Sequence, residues 1–91
     1  ATGFVHTQVL FACLRLNLFD LLKEEPLAFD AIVRRTGLTH DALQRLIAAA
    51  VALKLLERRS GNRVGLGILG GALNGFPGVK AMMHHNQLLY R

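Results

Sequence analysis

Residues 34–66 read RRTGLTHDALQRLIAAAVALKLLERRSGNRVGL, and the punctuation inside this run decides the fold. Gly37 stands where a helix ends, Thr39 is a good N-cap, and Asp41 falls in the first turn of the next helix, where the helix dipole favours a carboxylate. Two helices joined through Gly37 and Leu38 make a helix-turn-helix. The second helix, DALQRLIAAAVALKLL, runs for about four turns at 3.6 residues per turn. After it, LLERR and RVGL flank Ser60, Gly61 and Asn62, and the glycine and asparagine supply a hairpin turn.

Upstream, AFDAIVRRTG is a two-turn helix with Phe29, Ile32 and Val33 on one side and Arg34 and Arg35 outward. Before it, Asn17 can take the left-handed conformation that ends a helix, after which LFDLLKEE makes a short helical segment with Phe19, Leu21 and Leu22 inward, broken by Pro26. The first helix spans Phe4 to Leu16 within GFVHTQVLFACLRL. Its apolar residues cover most of the wheel, leaving a thin polar stripe through Gln8 and Arg15, so it must be buried on two sides. Downstream, the remainder ILGGALNGFPGVKAMMHHNQLLYR gives a short glycine-rich helix, then a last helix that Pro77 opens and that runs to Arg91. The expected fold is mainly α: one domain over residues 1–91, a winged helix-turn-helix with a small β-hairpin wing and extra N- and C-terminal helices.

The chain has 91 residues, 52% of them hydrophobic and only 19% charged. That balance is high for a small monomer whose surface is most of its mass, so part of the apolar surface is expected to meet another chain. Phe4, Val5, Val9, Leu10, Phe11 and Leu14 offer more apolar area than one small core absorbs, and predict a homodimer interface. The first residue is Ala1 rather than an initiator Met and the last predicted helix is cut at Arg91, so the sequence reads as a piece excised from a longer protein. No apolar stretch is long enough for a membrane span, because Gln8 and Arg15 interrupt the first hydrophobic segment. The single cysteine, Cys13, fits a reducing cytoplasm and reads as a buried thiol rather than a nucleophile.

The net charge of +5 would suit a polyanion, and reading DNA is the commonest use of a winged helix. A recognition helix must present long hydrogen-bonding side chains opposite its core stripe. Here Leu43, Leu46, Ile47, Ala50 and Leu53 share the core face, and Arg45, Ala48, Ala49 and Ala52 lie opposite, with Gln44 at the flank. Beyond the first turn that outer face is methyl groups, which favour close approach of another protein surface. A DNA-binding transcription regulator is therefore the second reading, carried only by Arg58, Arg59 and Arg63 of the wing.

Gly65, Gly67 and Gly70 spell G-x-G-x-x-G, the phosphate-loop pattern of dinucleotide folds, yet no acidic residue follows to hold a ribose, since the last is Glu57. The glycines read instead as breaks between a hairpin and short helices. The four histidines make no metal site by spacing. His84 and His85 point about 100° apart on a helix, and His6 and His40 lie on other elements without matching carboxylates. No catalytic, cofactor-binding or metal-ligating residue is expected in these 91 residues.

The segments GFVHTQVLFACLRLNLFDLL, RTGLTHDALQRLIAAAVALKLLERR and GLGILGGALNGFPG together resemble the N-terminal domain of the S-adenosylmethionine-dependent O-methyltransferases, the group of the acetylserotonin and plant small-molecule enzymes. The tail GFPGVKAMMHHNQLLYR resembles the bacterial carotenoid branch. The resemblance implies a winged-helix-like dimerisation domain whose first helix interlocks with the partner subunit, and a separate Rossmann-like domain that binds S-adenosylmethionine and carries the catalytic base. It also implies that Met82, Met83 and His85 line the entrance to a cavity for a small apolar substrate, beside Leu89. Two positions depart from the family: Asn17 stands where glycine is common, and Ala28 where Ser or Thr caps the following helix, which predicts a cap weaker by about 1 kcal/mol.

Overall fold

The computed structural model describes residues 6–74. Its elements follow in the order α1 (His6–Arg15), α2 (Leu18–Leu22), β1 (Leu27–Ala28), α3 (Phe29–Thr36), α4 (His40–Ala52), β2 (Leu56–Arg59), β3 (Arg63–Leu66) and α5 (Ile68–Asn74). The described residues are thus mainly helical, with a small antiparallel sheet in the order β1-β3-β2. Pro77 and the last predicted helix lie outside the described residues.

The local signals produce the expected corners. Asn17 takes φ 61°, ψ 32° between α1 and α2, a left-handed geometry that its short polar side chain tolerates. Gly37 does the same at φ 75° after α3, and its N–H donates to the Val33 carbonyl. The Thr36 hydroxyl also donates to the Ile32 carbonyl at 2.8 Å, closing the last turn of α3. The Thr39 hydroxyl then accepts from the Ala42 N–H at 3.1 Å and starts α4. In the hairpin turn Gly61 and Asn62 both take positive φ, at 74° and 57°.

Between these corners the helices pack inward. Val9, Cys13 and Leu14 of α1, Leu18, Phe19 and Leu22 of α2, and Leu43, Ile47 and Ala50 of α4 form one core with Ile32, Leu56 and Val64. α1 packs on α2 and α4, and α2 on α5. Cys13 is fully enclosed, and loss of water around it pushes the thiol up to about 12. It is an inert core residue, as its apolar neighbours indicate.

Three features depart from the local reading. First, α4 stops at Ala52 rather than continuing through Leu56. Lys54 turns left-handed at φ 67°, its N–H donates to the Val51 carbonyl at 3.0 Å, and the Leu55 N–H donates to the Ala50 carbonyl at 2.9 Å. This pair of bonds is a Schellman ending, here built on lysine rather than the usual glycine. It buries Leu55 and frees Leu56 to begin β2.

Second, Leu27 and Ala28 form a third strand, pairing with Val64 and Arg63. Third, the cap missing at Ala28 is partly replaced from a distance. Ala28 makes no side-chain cap bond, but the first N–H of α3, on Phe29, donates to the Asn62 carbonyl in the hairpin turn at 3.1 Å. Ala28 is exposed and extended, at φ −63°, ψ 148°, so a hydroxyl there would reach the free N–H groups deeper in the first turn. Ala28→Ser is expected to raise stability by about 1 kcal/mol, measured as a higher urea midpoint with an unchanged slope. A lower midpoint would show that the Asn62 contact had been broken instead.

Candidate functional site

The glycine run is the one motif in the chain with a chemical precedent, and its surroundings decide what it does. A phosphate loop offers its anion the free N–H groups at the start of a helix. Here those groups are taken. The Leu69 and Gly70 N–H groups donate to the Lys54 carbonyl at 2.9 and 3.4 Å, and the Gly67 N–H donates to the Leu55 carbonyl at 3.0 Å. A Cβ on Gly70 would overlap the Leu55 carbonyl oxygen, one on Gly67 the Lys54 carbonyl oxygen, and one on Gly65 would press on the Arg59 guanidinium at 3.1 Å. The glycines therefore let α5 lie directly on the corner between α4 and β2. Gly67 and Gly70 face carbonyl oxygens, which repel a phosphate, so the run does not form a phosphate loop. Nothing in the sequence marks Lys54 as the partner of this run, because its role depends on the left-handed turn that aims its carbonyl.

The outward side of α4 is as sparse as its sequence. Gln44, Arg45, Ala48 and Ala52 are exposed, whereas Ala49 is half-buried against the core. The Arg45 guanidinium reaches the Asp41 carboxylate one turn back at 3.1 Å, both side chains 72% exposed, a pair worth about 0.3–0.5 kcal/mol. In the wing, Arg59 donates to the Leu66 carbonyl at 3.0 Å and pairs with Glu57 at 2.9 Å. Arg63 donates to the Ser60 carbonyl at 2.9 Å. Two of the three wing arginines thus fasten their own hairpin.

His40 has a carboxylate partner that spacing did not reveal: its Nε2 stands 3.2 Å from Asp30 Oδ1, and its ring lies 5.5 Å from that of Phe29. This exposed pair links the starts of α3 and α4. Among the described residues, no group of three or more His, Cys, Asp and Glu side chains comes together. Likewise, no helix among them is long and apolar enough to cross a membrane.

The six residues expected at a subunit interface do not share one environment. Val9 and Leu14 are closed into the chain's own core, at 2% and 6% exposure, and hold α1 in place. Leu10 and Phe11 are half-buried on the same helix and keep part of their surface outward. Phe4 and Val5 lie outside the described residues, as do Met82, Met83 and His85 of the expected substrate entrance, together with His84 and Leu89. Among the described residues, the large apolar side chains that are exposed lie elsewhere, at the start of α5, where Ile68 is 80% and Leu69 49% exposed.

The described residues thus form a mainly helical domain with apolar side chains left outward at Ile68 and Leu69. The chain belongs to the O-methyltransferase dimerisation domain family, whose model matches residues 1–68. It is 40% identical over 89 residues to demethylspheroidene O-methyltransferase of Cereibacter sphaeroides, covering 98% of this chain and 24% of that protein. It is also 39% identical over 66 residues to acetylserotonin O-methyltransferase of Gallus gallus, covering 67% of this chain and 19% of that protein. Among solved structures it is similar to N,N-8-amino-8-demethyl-D-riboflavin dimethyltransferase from Streptomyces davawensis, with a TM-score of 0.71 and 30% identity over 82% of this chain and 23% of that one. The chain therefore spans only about a quarter or less of the length of the curated relatives it matches.

Proposed function

We propose that this chain is the homodimerisation module of an S-adenosylmethionine-dependent O-methyltransferase, built on a winged-helix plan and working in the cytoplasm. The family match over residues 1–68 carries this reading. The order of elements supports the winged-helix plan, since the third strand from Leu27–Ala28 joins the hairpin beside the helix-turn-helix. Cofactor binding and catalysis belong to the rest of the parent protein, because the glycine run here is closed by carbonyl oxygens. Alone, the chain neither binds S-adenosylmethionine nor transfers a methyl group.

On α1, Leu10 and Phe11, with Phe4 and Val5, meet the partner subunit, while Val9 and Leu14 anchor the helix from inside. Light scattering is expected to give twice the chain mass of 10.0 kDa at micromolar concentration. A mass equal to one chain up to 100-fold higher concentration would refute the pairing role.

The relatives named for demethylspheroidene and acetylserotonin support a small, hydroxylated, largely apolar substrate for the parent enzyme. Met82, Met83 and His85 then contribute part of the cavity wall, where adaptable thioethers suit an apolar molecule. In the parent enzyme, Met83→Ala is expected to raise KM several-fold with a smaller change in kcat. Unchanged values of both would remove Met83 from the cavity.

A further inference from the structure

We draw no further inference here: the strongest candidate, the exposed apolar patch that Ile68 and Leu69 form at the start of α5, carries nothing, because nothing in the structure shows what covers it.

Discussion

Gly70→Ala is expected to destabilise the chain by about 3 kcal/mol, the upper part of the range for forcing atoms into filled space. The added methyl would overlap the Leu55 carbonyl oxygen, and backbone cannot turn aside as a flexible side chain can. That carbonyl also accepts the Gly67 N–H at 3.0 Å, so retreat of Leu55 would loosen the second tie between α5 and the corner. Gly71→Ala, one position along the same helix, is the matched control. Its methyl meets nothing within 4 Å, and replacing glycine inside a helix gains about 0.5–1 kcal/mol by removing unfolded-state freedom. Thermal melts should therefore move in opposite directions, by about 4–8 °C per kcal/mol for a domain of this size. Equal melting temperatures for the two variants would show that α5 does not rest on Leu55 as described.

The second large effect is in the core. Leu43 of α4 and Ile47 one turn later are 0% and 1% exposed, and Leu43→Ala leaves a cavity in the core. A loss of about 2–5 kcal/mol follows from the transfer and cavity contributions together. Against a total stability of about 5–15 kcal/mol for a small domain, that loss brings the fold close to collapse. Urea unfolding should show it as a midpoint drop several times larger than any change from Ala48→Ser on the exposed side of the same helix. A drop no larger than that of the Ala48 variant would mean Leu43 does not face the core.

Leu43 and Gly70 differ in how far away the cause of their placement lies. Helical spacing alone places Leu43 in the core, because a helix that must hide one face repeats its apolar residues every three or four positions. Gly70 was part of a pattern with a known chemical use, and its actual role rests on a carbonyl 15 positions earlier in the chain. The same distinction runs through the expected contact residues. Periodicity identified α1 as apolar around most of its circumference, yet which of its residues face inward depended on where α2 and α4 came to rest. Val9 and Leu14 went to the core, leaving Leu10 and Phe11 half-outward.

The corners of the fold are written in short-range chemistry. Asn17 and Gly37 tolerate left-handed backbone, the Thr39 hydroxyl caps α4 by accepting from the Ala42 N–H three residues on, and Gly61 with Asn62 turns the hairpin. Each works through atoms within a few residues, so a short window of sequence contains the whole cause. The tertiary structure alone decided the pairing of Leu27 with Val64, the acceptor that Asn62 lends to Phe29, the end of α4 at Ala52 and the seat of α5 on Lys54 and Leu55. In these cases the stabilising partner is brought close only by the collapse of the helices. Lys54 accepts a strained left-handed turn because that turn buries Leu55, frees Leu56 for the sheet and satisfies the first N–H groups of α5, a set of gains spread over three elements.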